Sequence, residues 1–194
     1  MEEKPKIAID NVEFIRNKIK AFQHKAPLLT ALCSKGMQER HWEEVNQYLE
    51  KHKILMRWEP TSTHKLIDCG DLVPHKEFLT EIADKSEKEY KNLQLLDSML
   101  TAWDNVEIKL KSWKDTGSYA IVGDSVDEIQ TLLDEHIIQT QSMKGSQFAK
   151  IFDERIQHWE HDLLYLRDTL ELWLKVQANW IYLLPIFSSP DIKR

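Results

Sequence analysis

The sequence predicts a mainly α-helical fold: an elongated bundle or arch of long helices with one small β-hairpin. Three observations carry this. From Phe148 to Leu184 apolar residues recur three or four apart with no Gly or Pro between them, the period of one helix face. Only 5 Gly and 6 Pro punctuate 194 residues, too few for a turn-rich β fold. Strict alternation runs from Val106 to Lys111, ahead of a turn at Lys114-Asp115-Thr116-Gly117, which is a hairpin signal.

In chain order, Val12, Ile15, Ile19 and Phe22 define a helix over Asp10–Lys25. It should end near Pro27, because proline removes a helical donor, and a short connection should lead to Gly36. Trp42, Val45 and Leu49 mark a second helix over Met37–Lys51. Ile54 to Pro74, with Trp58-Glu59-Pro60 and Cys69-Gly70-Asp71, reads mostly as loop with room for a short strand or helical turn. A long helix follows from His75 to Trp103. Its stripe is Phe78, Ile82, Tyr90, Leu93, Leu96, Leu100 and Trp103, thinned at Ala83 and Ser86. The charges Glu81, Asp84, Lys85, Glu87, Lys88, Glu89 and Lys91 should form its solvated face. Glu81–Lys85 and Glu87–Lys91 are spaced as i,i+4 pairs.

After the hairpin, Ser125 with Glu128 three residues on has the pattern of a capping box. The helix it opens should run to Lys144 and stop at Gly145. The Phe148–Leu184 rod closes the sequence. Its stripe, including Trp159, Trp173, Val176, Trp180 and Leu183, should be buried against other helices, since each Trp brings a large apolar area. Pro185 should end it. The last residues, Ile186 to Arg194, do not read as a finished domain edge and imply a chain that stops inside a longer fold.

Composition narrows the function. The formal net charge is −6, which argues against non-specific binding to nucleic acid or to an anionic membrane surface. No apolar run approaches the ~20 residues of a membrane span, and the N-terminus lacks the apolar core of a signal peptide. Two unpatterned cysteines, Cys33 and Cys69, suit a reducing compartment. No phosphate-binding G-x-x-x-x-G-K-[ST], no G-x-G-x-x-G and no C-x-x-C is present. His158 and His161 could share a helix face with Glu154 or Asp162, but H-W-E-H is not the zinc pattern H-E-x-x-H. His41 and Trp42 read as a buried Trp beside a hydrogen-bonded His rather than a ligand platform. The sequence therefore offers no catalytic residue, no cofactor or metal site and no small-molecule substrate pocket.

Several segments, in order, resemble the linker region of dynein heavy chains, known as N-terminal region 2. Arg40-His41-Trp42 is similar to the R-H-W that opens that region. Glu81-Ile82-Ala83, Lys88-Glu89-Tyr90 and Trp103 resemble its long helix, and Trp113 with Thr116-Gly117-Ser118-Tyr119 its hairpin. Trp159-Glu160 with Leu163, then Trp173, Val176-Gln177, Trp180, Tyr182-Leu183 and Ile186-Phe187, resemble its W-E-x-x-L and W-x-x-V-Q-x-x-W-x-Y-L-x-x-I-F signatures. Asp127-Glu128-Ile129, Leu133-Asp134-Glu135-His136 and Thr140 to Ser146 are more like axonemal than cytoplasmic heavy chains.

The resemblance implies a helical lead-in over 1–36 and a linker segment over 37–194, truncated at its C-terminal end. It implies a mechanical element lying across a ring of AAA+ ATPase modules in a microtubule-based ciliary motor. The implied partners are that ring and other dynein chains, and the implied setting is cytoplasm, cytoskeleton and axoneme. His41, Trp42, Trp103, Trp159, Trp173, Gln177, Trp180 and Tyr182 are its structural signature here. ATP hydrolysis and microtubule binding would belong to the parent chain. A free-standing helical adaptor derived from such a chain is the alternative.

Overall fold

The first helix runs further than its sequence suggests. In the structure, a computed structural model that describes residues 3–54 and 70–189, helix α1 spans Glu3–Leu32 and passes through Pro27. Trp58, Cys69 and Pro190–Arg194 lie outside the described residues. A proline inside a helix costs roughly 3 kcal/mol. The turns that follow it bury Leu28 and Leu32 almost completely, and each contributes roughly 1.5–3 kcal/mol. Burial thus carries the helix past its breaker.

Helix α2 (Glu39–Lys51) buries His41, Trp42, Val45 and Leu49. A 3-10 turn over Gly70–His75 then leads into α3 (Lys76–Ala102). The chain forms two compact units, Met1–Lys91 and Asn92–Arg194. In the first, Leu28 and Leu32 of α1 pack with Trp42, Val45 and Leu49 of α2, and with Leu72, Leu79 and Ile82.

The buried face of α3 is rotated from the expected one. Leu79, Ile82, Ala83, Ser86 and Glu89 are inside, while Phe78 and Tyr90 are only half-buried. The small residues explain this. The backbone at Gly36 lies so close to that of Ser86 that an added Cβ would approach it within 3.0 Å. Ser86 satisfies its own hydroxyl by donating to the Ala83 carbonyl at 2.7 Å. What the sequence shows as a thinned stripe is therefore the seat of another segment. Lys85 pairs with Glu44 of α2 at 2.9 Å instead of Glu81, whereas Lys91 does pair with Glu87 at 2.8 Å.

The second unit holds the hairpin. Strands β1 (Leu110–Trp113) and β2 (Ser118–Ile121) are antiparallel, with Leu110 opposite Ile121 and Trp113 opposite Ser118. Lys114 and Gly117 take positive φ at the turn, 49° and 72°. The Thr116 hydroxyl closes it by donating to the Trp113 carbonyl at 2.6 Å.

Helix α4 (Gly123–Lys144) begins three residues earlier than expected, and Val122 rather than Ser125 is its N-cap. The buried Ser125 hydroxyl instead accepts from the Lys109 N–H and donates to the Glu107 carbonyl, both at 3.2 Å. The residue that looked like a cap is the stitch between α4 and the entry to β1.

Helix α5 (Asp153–Phe187) follows a 3-10 turn over Lys150–Phe152 and also passes through its proline, Pro185. Pro185 is exposed, and the Ser188 N–H closes the last turn on the Leu184 carbonyl at 3.0 Å. Only Ile156, Leu163 and Leu170 of α5 are buried. Their seven-residue spacing is a narrow seam. Leu163 and Leu170 pack with Ile121, Val126, Ile129, Leu133 and Ile137, and Ile156 with Leu96, Met99, Met143 and Ala149.

The expected burial of the whole stripe fails beyond Leu170. Trp173 is 47% exposed, Val176 66% and Leu183 39%. The reason is length: α5 has 35 residues and α4, which covers it, has 22. Trp173→Ala should therefore lower stability by less than about 1 kcal/mol, whereas Leu163→Ala should cost roughly 2–5 kcal/mol. Urea unfolding of the two variants beside wild type measures both values. Equal losses would mean that Trp173 is packed in solution.

Candidate functional site

Two polar clusters hold the helices in place, one in each unit. In the first, the α2 N-terminus supplies Arg40 and His41, and α3 supplies Glu89. The Gln38 N–H donates to His41 Nδ1 at 3.0 Å, the reciprocal half of a capping box with His in place of Glu or Gln. An accepting Nδ1 leaves the proton on Nε2. His41 Nε2 accordingly donates to Glu89 Oε2 at 2.8 Å, and Arg40 donates to the same oxygen at 2.7 Å. His41 and Glu89 are 1% and 4% exposed. A buried carboxylate is tolerated only with such partners.

Sequence reasoning singled out His41 and missed Glu89, counting it with the solvated charges of α3. Its signal was positional: it lies three residues after Ser86 and seven before Leu96, on the face that Ala83 and Ser86 mark as buried. Trp42 is buried in the core of this unit, and its indole N–H has no hydrogen-bond partner among the described residues.

In the second unit, Gln177 of α5 hydrogen-bonds the hairpin, whose Ile121 also packs with Leu163 and Leu170. Gln177 Oε1 accepts the Ile121 N–H at 2.7 Å, and Gln177 Nε2 donates to the Ile121 carbonyl at 3.4 Å. The side-chain amide thus pairs with the outer edge of β2 as a neighbouring strand would. Nearby, Trp103 Nε1–H donates to His136 Nδ1 at 2.9 Å. His136 is 6% exposed, and burial pushes its pKa below the ordinary 6.5 although the Glu135 charge opposes the shift. His136 too escaped the sequence reading, although it falls between Leu133 and Thr140 on the buried face of α4.

The remaining singled-out residues divide. Trp159 is half-buried against both cores of this unit, with its indole N–H unpartnered among the described residues. Trp180 is half-buried, and Trp173 and Tyr182 are exposed, at 47% and 73%. His158 is exposed and faces Asp162 at 3.5 Å. Among the described residues no group of three His, Cys, Asp or Glu side chains is placed to hold a metal ion. Cys33 is an exposed free thiol. An open groove of about 310 Å³ lies between α4 and the segment before β1, where Glu107, Lys109 and Glu128 surround Val106 and Ile129. What the two clusters do chemically is fix geometry: each spends its hydrogen bonds on protein groups.

Comparison with known proteins bears on the same residues. The sequence model of a family described as dynein heavy chain, N-terminal region 2, matches residues 3–194. The chain is 36% identical over 180 residues to human (Homo sapiens) dynein axonemal heavy chain 3, which covers 93% of this chain and 4% of the relative. It is 37% identical over 182 residues to mouse (Mus musculus) dynein axonemal heavy chain 1, again 93% of this chain and 4% of the relative. Rat (Rattus norvegicus) dynein axonemal heavy chain 12 is 37% identical over 156 residues, 80% of this chain and 5% of the relative. The chain thus spans a small fraction of the length of these relatives.

Glu89→Ala should destabilise the chain by roughly 1–3 kcal/mol, because it strands the His41 donor in the core. Arg40→Ala, at a half-exposed guanidinium, should cost less than about 1 kcal/mol. Chemical denaturation separates the two, and equal effects would contradict a buried clamp. His136 gives a pH signature. Its folded pKa lies below its unfolded value, so its contribution is complete above about pH 6.5 and falls away as pH drops through the folded pKa. Melting temperature should decline from pH 7 to pH 5 more steeply in wild type than in His136→Leu. Parallel declines would mean that His136 is not buried as a neutral ring.

Proposed function

Because the chain belongs to the dynein heavy chain family through N-terminal region 2, we propose that it is a mechanical linker segment of an axonemal heavy chain. It couples nucleotide-driven changes in an AAA+ ring to the power stroke on microtubules. The segment carries no catalytic centre of its own, and ATP turnover belongs to the parent chain. Its partners are the ring of that chain and other chains of the same dynein, in the axoneme of the cilium. Residues 1–36 serve as a lead-in, and the linker proper begins at residue 37. His41, Trp42, Trp103, Trp159, Trp173, Gln177, Trp180 and Tyr182 form its structural signature.

The observation that carries this reading is the division of α5. Its first half is packed, while its second half grips the hairpin through Gln177 and exposes Trp173, Val176, Leu183 and Phe187 on another face. These four, with half-buried Trp180, are spaced 3, 4, 3 and 4 apart, an open seam of the kind a neighbouring helix fills. A longer linker supplies such neighbours. Lever action also needs stiff elements with motion concentrated at few junctions. A 35-residue helix latched to a hairpin at one peptide group is such a junction.

The same open seam favours a second reading, a separate helical adaptor that uses Trp173, Val176 and Phe187 as an interaction surface. An immunoblot of ciliated tissue with an antibody to Asp124–Ser146 decides between them. A very large polypeptide supports the linker, and a band of about this chain's own size supports the adaptor. The lever itself is tested by Gln177→Leu in the parent heavy chain. ATP turnover should persist while microtubule gliding slows several-fold. A proportional fall in both, or no change in either, would count against coupling through this segment.

A further inference from the structure

Helix α1 carries a second apolar stripe that no described residue of its own unit covers. Every residue from 11 to 23 is exposed. Val12, Ile15, Ile19 and Phe22 are 54%, 55%, 53% and 51% exposed, and Phe14 beside them is 61% exposed. Their spacing of 3, 4 and 3 makes a seam that one further helix would fill. The flanks of this seam are basic. Arg16 and Lys20 directly follow Ile15 and Ile19, and Lys18 directly precedes Ile19. At about 100° per residue these cations fall on opposite sides of the seam. Lys18 Nζ sits 5.6 Å from the centroid of the Phe14 ring, which keeps it at the seam's edge. Within residues 11–23 these three cations stand against one carboxylate, Glu13, in a chain whose net charge is −6.

We propose that this stripe is the docking seam for an amphipathic helix with acidic flanks carried by a partner protein. The proposal is independent of the linker reading. A second copy of α1 would set Arg16, Lys18 and Lys20 against the same cations, and like charges across an interface oppose association. An anionic bilayer would attract the cations, but a helix lying in a membrane interface wants a broad apolar face, and this stripe is narrow and belongs to an acidic chain.

The test uses the whole chain and two synthetic amphipathic helices with the same Leu seam, one flanked by Glu and one by Lys. Binding is read by fluorescence anisotropy at low and high salt, with sedimentation of the chain alone and with phosphatidylserine vesicles as further arms. The Glu-flanked peptide should bind, and more weakly at high salt. Combined Arg16→Glu, Lys18→Glu and Lys20→Glu should weaken it on the order of tenfold or more, the sum of three exposed ion pairs, and should give measurable binding of the Lys-flanked peptide. All three positions are exposed, so an unchanged melting curve shows that the variant is folded. Equal binding of both peptides, binding of neither, self-association of the chain alone, or recruitment to vesicles without peptide binding would each overturn the proposal.

Discussion

Helix α5 is longer than anything in its unit that could cover it, and much of the second unit follows from that mismatch. Its buried residues, Ile156, Leu163 and Leu170, return every two turns. Along that length α4 and the end of α3 close over it. Past Leu174 the apolar period continues, but the burial does not. A helix of this length keeps its shape through tertiary packing more than through propensity. The fold is therefore strongest in the first half of α5 and weakest at its end. Gln177 stands between the two regimes, where β2 offers one peptide group to hold.

The first unit solves a different problem. Its helices meet where Gly36 seats against the backbone of Ser86, which brings the α2 N-terminus close enough to α3 for Glu89 to be reached. The carboxylate is then shared between a ring nitrogen and a guanidinium. Such a cluster adds little net stability over apolar packing, yet breaking one partner is costly. Its effect is to fix how α2 lies on α3. Backbone at Gln38, ring at His41 and carboxylate at Glu89 form one chain of hydrogen bonds, so a shift of either helix is felt by both.

The elements themselves were legible in the sequence, because period and turn chemistry are local. The hairpin, the start of α3 and the end of α4 at Gly145 all came from residue pattern. What was not legible depended on contacts between distant segments. Pro27 looked like a stop because the burial of Leu28 and Leu32 could not be weighed. Ser125 looked like a cap because its partners, Lys109 and Glu107, lie in another element. The face of α3 was misphased because Ala83 and Ser86 were taken as weak core positions rather than as room for Gly36. Glu89 was hidden among like residues for the same reason. The Trp173–Leu183 run was read correctly as a helix face, but the sequence did not show how much of that face its own unit covers.

The most direct measurement is amide hydrogen exchange along α5, in this chain alone and in the parent heavy chain. The proposed linker segment should protect amides from about Ile156 to Gln177 in both. Beyond Gln177 exchange should be fast in the isolated chain and slow in the heavy chain, where a neighbouring helix would fill the Trp173–Phe187 seam. Equal protection to Phe187 in the isolated chain would contradict the open seam. Fast exchange beyond Gln177 in the heavy chain as well would contradict its role as a segment of a longer linker.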